Sequence, residues 1–515
     1  MTRAGRGVSS RVSTIARNAL SNYAQTAVSL AVLFWLTPAI IRSVGRDDFG
    51  LWVLASAVVG VLELLDAGLL TGVVKWVAES KGSGDLERRN RMLSTVQLAY
   101  LGLSLAALAG VIALSFVYLP LFDVPAEQQQ KALMVLWILA ARIVFVGLPL
   151  RLFMGVLFGE QRIAVINAVK VPSTLLYGLG GWGALHQGWG VVGLAWVSLG
   201  VAVLEHLAYV PLAFAYVPGL RVSWALVDRS LRKEAFSVSS SQWMINVSSL
   251  LVLRADLLLV KFFLPLSAVA VYAIALNLAG VAFTLIKQFV NVLSPLIAEL
   301  GGEGRQQQLR ALLLSAAKLV SAAAVVVAVT TYVFAREAIT FWVGPELAEA
   351  APVLIVLITA FLVSVPSMIA ADVLFYTGHH RIAARAALLS IGINLTASVA
   401  LVGVLGFLGV ALGTLLATAV ADFGVVVGRA CRNYGVGYWD YARRALLPAG
   451  LPGVLQWCVI SVFKVVLPPS GLLVVGMEAL AGVVAYGAVF WLCCIEEAEK
   501  DVFLSLRGVL GGRAR

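Results

Sequence analysis

The sequence is poor in charge. Only 13% of its 515 residues are Asp, Glu, Lys or Arg, whereas 61% are hydrophobic. No soluble domain is built on that ratio, because a globule needs far more polar surface than this. Cysteine is scarce, and Cys431, Cys458, Cys493 and Cys494 form no CxxC pair, which excludes a disulfide framework. Long polar stretches are missing too. No connection between apolar runs exceeds about 20 residues, too little for a soluble domain with a site of its own. His379-His380 has no further ligands beside it, and no P-loop, zinc motif or nucleophile–base set occurs. ATP-driven work and enzymatic chemistry are therefore not expected, nor is any cofactor. Acids are fewer than bases, 27 against 38, for a net charge of +11. The excess does not point to nucleic acid, because it sits in short loops between apolar runs, where the positive-inside rule accounts for it.

What is present is apolar sequence, with a mean hydropathy of +0.94. Fourteen segments, at roughly 18–41, 49–74, 92–117, 132–158, 163–186, 189–215, 236–260, 267–294, 309–334, 351–377, 382–405, 407–430, 446–467 and 472–495, are long enough to cross a bilayer. The expected fold is an all-α polytopic membrane protein of about 14 transmembrane helices. With the N-terminus in the cytoplasm, 26 of the 38 Lys and Arg fall in cytoplasmic loops and tails, six on the outer side and six within spans. That bias places both termini inside. The basic start resembles a signal sequence, but its apolar run is too long and lacks a small-x-small site, so it is expected to remain as the first membrane helix.

The chain repeats itself. Pro149, Val156-Leu157-Phe158 and Arg162-Ile163-Ala164 are answered by Pro366, Val373-Leu374-Phe375 and Arg381-Ile382-Ala383. Gly190-Val-Val-Gly193-Leu-Ala195 is answered by Gly406-Phe-Leu-Gly409-Val-Ala411, Gly60-Val61 by Gly280-Val281, and Trp52 by Tyr272, with offsets of 216 to 220. Six helices per repeat give two lobes of one orientation, 18–215 and 236–430, which predicts a substrate path between them. The expected remainder is a cytoplasmic tail at 1–17, a cytoplasmic linker at 216–235, a cytoplasmic loop at 431–445, two added helices within 446–495 and a tail at 496–515.

The first hairpin, 18–79, carries the polar signal. Asn18, Asn22, Gln25 and Ser29 recur at helical spacing, and Glu63 and Asp66 share a face of the next segment. Lipid-facing positions do not tolerate such residues, so this pair of helices is expected to line a wet space. At the repeat offset, Asn22, Thr26 and Ser29 correspond to Gln242, Asn246 and Ser249, which marks segments one and seven as walls of that space.

Thr37-Pro-Ala-Ile-Ile41, Gly45-Arg-Asp-Asp-Phe-Gly-Leu-Trp52, Leu64-Leu-Asp-Ala-Gly-Leu69 and Arg254-Ala-Asp256 resemble the Wzx-type polysaccharide (O-antigen) flippases of the MATE-like MOP exporter superfamily. The resemblance implies a V-shaped two-lobe fold in the bacterial inner membrane. It also implies movement of an undecaprenyl-diphosphate-linked oligosaccharide by alternating access, driven by an ion gradient. Membrane lipids, a polysaccharide polymerase and a chain-length regulator are the partners it implies. A multidrug or cation antiporter of the same fold is the closest alternative. A membrane glycosyltransferase or polymerase fits less well, because the outer loops are short.

Six bases lie within spans, namely Arg142, Arg151, Lys170, Arg254, Lys287 and Lys318, against seven acids, namely Glu63, Asp66, Glu205, Asp256, Asp372, Asp422 and Glu478. Each costs about 2.5–3.5 kcal/mol at a helix centre, so each needs a partner or water. Arg142 and Lys318 are the deepest cations of the two halves, and Lys287 shares a polar face with Thr284 and Asn291. These three, with Arg254, Asn22, Gln25, Gln242 and Asn246, are the expected substrate contacts, and Asp66, Glu63 and Asp256 the expected ion-coupling groups. Under the repeat offset Asp66 is expected to face Lys287. Gly178-x-Gly180-x-x-Gly183 matches a dinucleotide fingerprint but follows no strand, so helix packing is expected of it.

Overall fold

The structure, a computed structural model, describes residues 3–66, 68–232, 234 and 255–496. Twelve helices among the described residues are long and apolar enough to cross a membrane. The first two expected segments run together in one of these, Leu20–Glu63, and the seventh lies mostly outside the described residues. The other eleven correspond one to one. By internal contacts the chain forms two units, Met1–Ala270 and Val271–Arg515.

The first unit opens with α1 (Arg3–Gly60), which is interrupted at Gly45, where φ is 79° and ψ 178°. A side chain is strained at that φ, and glycine is not. A 3-10 turn (Val61–Asp66) leads to α2 (Leu69–Ser83) and α3 (Leu86–Leu121). Next come α4 (Gln129–Ala141), a π-helical stretch (Arg142–Gly147) and α5 (Leu148–Gly159). The unit continues through α6 (Ile163–His186), α7 (Gly190–Tyr216) and a helix α8 over residues 255–263.

In lipid the apolar effect does not draw helices together, so close packing must. Gly155 and Gly159, one turn apart on α5, lie against Val73 and Val77 of α2, where a Cβ would collide. Gly178 and Gly181 bring α6 close to Val32 and Leu36 of α1, and Gly180 sits tight against Val197 of α7, whereas a Cβ at Gly183 would meet open space; of the three fingerprint-like glycines two are in close packing. The core between these helices holds Leu54, Leu69, Leu93, Tyr100 and Leu136, all fully buried.

The stretch after α7 was expected to be a solvated linker between lobes. Its described part instead docks on the first turns of α3. Asn90 Nδ2 donates to the Gly219 carbonyl at 2.8 Å, and Arg89 Nη2 to that of Pro218 at 3.1 Å. The Ser223 amide donates to Ser94 Oγ at 3.1 Å, and the Asp228 amide to Thr95 Oγ1 at 3.0 Å. Arg88 holds both oxygens of Glu234, at 2.9 and 3.1 Å. Seen by contacts, residues 216–234 therefore go with the first unit.

The second unit takes up α9 (Leu266–Gly302) after its first turn, then α10 (Gln306–Val343) and α11 (Ala350–Leu374). After the π-helical Phe375–His379 it runs through α12 (His380–Leu405) and α13 (Phe407–Ala417), and a longer π-helical stretch (Thr418–Val427) leads to α14 (Gly428–Asn433). A short α15 (Tyr438–Tyr441) precedes α16 (Leu447–Val466) and α17 (Leu472–Val489), which pack on α10.

Within each unit the repeat has the same physical content. Gly190 and Gly406 both sit at φ 58°, opening α7 and α13. Gly193 and Gly409 are crowded where a Cβ would stand, the first by Trp189 and Ala184, the second by the Leu401 backbone. Ala195 and Ala411 are fully buried, as are Val156, Leu157, Val373 and Leu374.

Candidate functional site

The polar residues of the first unit converge. A cavity of about 360 Å³ opens between the second half of α1, α4, α6 and α7. From α1 and the turn after it come Trp52, Ser56 and Glu63, and Arg142 comes from the start of the π-helical stretch. Ser173, Thr174 and Tyr177 line it from α6, and Ser198 and Glu205 from α7.

Local sequence explains these placements. A 3-10 turn stacks residues three apart, so Glu63 and Asp66 project to the same side, toward the fourth segment. On that segment Pro149 offers no amide to the carbonyl of Phe145, and the hydrogen-bond ladder re-registers as a π turn that begins at Arg142. Arg142 Nη2 then lies 4.0 Å from Glu63 Oε1, while its Nη1 donates to Ser198 Oγ at 3.2 Å. Arg151 Nε pairs with Asp66 Oδ2 at 3.2 Å, and Tyr100 OH donates to Asp66 Oδ1 at 2.7 Å. Two arginines of one segment thus meet two acids of another, in order.

The two pairs differ in surroundings. Arg142 and Glu63 are each 38% exposed on the side chain, open to the cavity, whereas the Asp66 side chain is 12% exposed and held on both oxygens. Asp66 accordingly binds within its own unit, to Arg151 and Tyr100. At the other wall, Tyr209 OH donates to Glu205 Oε1 at 3.0 Å. Ser173 and Thr174 donate their hydroxyls to the carbonyls of Val169 and Lys170, each at 2.9 Å, and keep only lone pairs for the cavity.

The remaining expected residues lie elsewhere. Asn22 accepts from Asn167 Nδ2 at 2.6 Å, and Asn18 bonds the Gln161 carbonyl at 3.0 Å and the Ala164 amide at 3.2 Å. Much of the polar stripe on α1 therefore joins α1 to α6. Gln25 donates to Ser29 at 2.8 Å within α1. Asp256 is buried in α8, at 2% exposure. In the second unit, Lys287 is exposed, with Nζ 5.8 Å from the Phe283 ring centre. Lys318 is buried and donates to the Cys494 carbonyl at 3.1 Å, a cation at the C-terminal end of the last described helix, where the helix dipole favours it. Gln242, Asn246 and Arg254 lie outside the described residues.

Glu205, Ser198 and the hydroxyls of α6 were not among the expected contacts. Their signal was in the sequence. Trp52, Ser56 and Glu63 fall at i, i+4 and i+11, and Ser198 and Glu205 at i and i+7, each a stripe down one helix face.

The chain is a multi-pass membrane protein whose fold matches that of MOP-superfamily transporters. Lipid II flippase MurJ in an inward closed conformation matches at a TM-score of 0.69 and 15% identity, covering 92% of this chain and 97% of that one. An inward-facing MATE multidrug resistance transporter of the MOP superfamily matches at 0.66 and 17% identity, covering 80% and 98%. Residues 40–352 match the polysaccharide biosynthesis protein family, and the chain belongs to it. A curated relative, the uncharacterized membrane protein EpsK of Bacillus subtilis (strain 168), is 23% identical over 344 residues, 66% of this chain and 67% of that protein.

Proposed function

We propose that this protein is a flippase. It carries an oligosaccharide linked to a polyprenyl diphosphate across the bacterial inner membrane by alternating access, for assembly of a surface polysaccharide. The observation that carries the reading is the family match over 40–352, which takes in every residue that lines the cavity. Polar side chains inside a membrane bundle are costly, and a hydroxyl-rich chamber is the kind of place a glycan can occupy while it crosses. The bias of Lys and Arg toward alternate loops supports cytoplasmic termini. Glu63, open to the cavity beside Arg142, is the group best placed to exchange an ion during the cycle. Asp66, locked by Arg151 and Tyr100, is the less suited of the two. A polymerase and a chain-length regulator are the proteins expected to take up the product.

The two carboxylates of the cavity, Glu63 and Glu205, against one arginine favour a second reading, export of an organic cation. Deleting the gene in its host separates the two. The flippase reading expects loss of surface polysaccharide and a build-up of polyprenyl-linked oligosaccharide on the cytoplasmic leaflet, both reversed by the wild-type gene. Intact polysaccharide with new sensitivity to lipophilic cations would favour the exporter.

A further inference from the structure

We infer that the cavity of the first unit is a glycan subsite that selects a neutral or amino sugar and rejects the diphosphate. This deepens the flippase reading and rests on it. What the cavity offers is an excess of negative charge and a set of acceptors beside it. Glu63 and Glu205 bring carboxylates, and Tyr209 occupies only one oxygen of Glu205. Ser173 and Thr174 have already given their protons to the α6 backbone, so they can only accept. Against these stands one cation, Arg142, which lies 4.0 Å from Glu63 and gives one N–H to Ser198 at 3.2 Å, with the hydroxyls of Ser56, Tyr177 and Ser198 as neutral groups beside it.

A diphosphate has acceptor oxygens and negative charge. Here it would meet two carboxylates against one guanidinium, so Coulomb energy disfavours it. A sugar ring matches the opposite pattern. Its hydroxyls, or an ammonium or amide in place of one, are donors that point outward all round the ring. Trp52 supplies an apolar face at the wall, and about 360 Å³ admits a ring or two but not a long chain. An acidic sugar carries the same charge as the walls and is excluded with the diphosphate. The headgroup phosphates must then be held elsewhere, and Arg142 orders Glu63 and Ser198 for the sugar in place of binding phosphate itself.

The test uses the full-length protein in nanodiscs. Ser56→Cys is introduced where the four native cysteines have been replaced, and its alkylation rate is followed with methyl glucosaminide, methyl N-acetylglucosaminide, methyl glucuronide or inorganic pyrophosphate present at millimolar concentration. The two glucosamine derivatives should slow alkylation at least threefold, and glucuronide and pyrophosphate should leave it unchanged. Adding Glu205→Gln should cut the protection by methyl glucosaminide about tenfold in half-effective concentration. Ser56→Cys must melt like the parent, and Ser173→Cys serves as a second reporter if it does not. Protection by pyrophosphate equal to that by the amino sugars would overturn the inference, and so would no protection by any sugar at either reporter. The parent reading is tested apart from this, by surface polysaccharide in the deletion strain. Sugar protection with intact export would keep the subsite and remove the flippase.

Discussion

Two ion pairs three residues apart on the same turn make opposite demands, and substitution separates them. Asp66 is buried, accepts from Tyr100 and pairs with Arg151, so Asp66→Ala leaves a buried phenol without its acceptor and a partly buried guanidinium without its counter-charge. A hydrogen bond to a charged group contributes about 1.5–3 kcal/mol, and its loss together with that of the ion pair is expected to give a clear fall in melting temperature and in membrane abundance. Arg142 and Glu63 are partly solvated and 4.0 Å apart. Such a pair contributes about 1 kcal/mol or less, so Arg142→Ala should melt near the parent while surface polysaccharide falls at least tenfold. Equal loss of stability in both variants would make Arg142 a structural residue. A third acid works outside the membrane. The Ser230 amide and hydroxyl, at 2.9 and 2.6 Å, hold the Asp228 carboxyl below the usual carboxylate range, with Arg91 assisting. A carboxyl with a lowered folded-state pKa stabilises above its ordinary pKa and stops doing so as the pH falls through the folded value. Amide exchange across 217–232, corrected for intrinsic rates, should therefore speed up as the pH falls through the carboxylate range, and Asp228→Asn should flatten that response. Faster exchange on raising the pH would contradict the assignment.

At the level of elements, the repeat makes its own prediction. Gly190 and Gly406 sit at φ 58°, where an L side chain is strained by about 1–2 kcal/mol or more, so Ala at either should lower stability by at least that much, read as a fall in melting temperature. Gly409→Ala and Gly193→Ala should both lower the melting temperature, because a Cβ at 409 meets the Leu401 backbone and one at 193 meets Trp189 Cβ, which the backbone holds in place. Those glycines were readable from their spacing alone. The apolar periodicity likewise located eleven of the helices one to one, since crossing a bilayer fixes both length and composition. Contacts that join residues far apart in sequence were not legible. Nothing in the spacing says that the amides at Asn18 and Asn22 are spent on residues 161–167, or that Lys318 reaches the carbonyl of Cys494. The docking of 217–234 on α3 was hidden for the same reason, because a polar, basic loop reads as solvated until the carbonyls it offers find donors at Arg89 and Asn90. The π turn at Arg142 is a milder case. Pro149 announces a disturbance, but not which residue the altered ladder turns toward the cavity.

For the whole molecule, the central claim is movement of a glycolipid between leaflets. Reconstitution tests it without the rest of the pathway. The purified protein is placed in liposomes that carry a fluorescent polyprenyl-diphosphate oligosaccharide on one leaflet, and the fraction that an impermeant quencher can reach is followed with time and with an imposed proton or sodium gradient. The flippase reading expects the reachable fraction to change only in liposomes that contain the protein, and to change at least tenfold more slowly with Arg142→Ala. No change above protein-free liposomes under either gradient, in a preparation that exports a lipophilic cation, would contradict it.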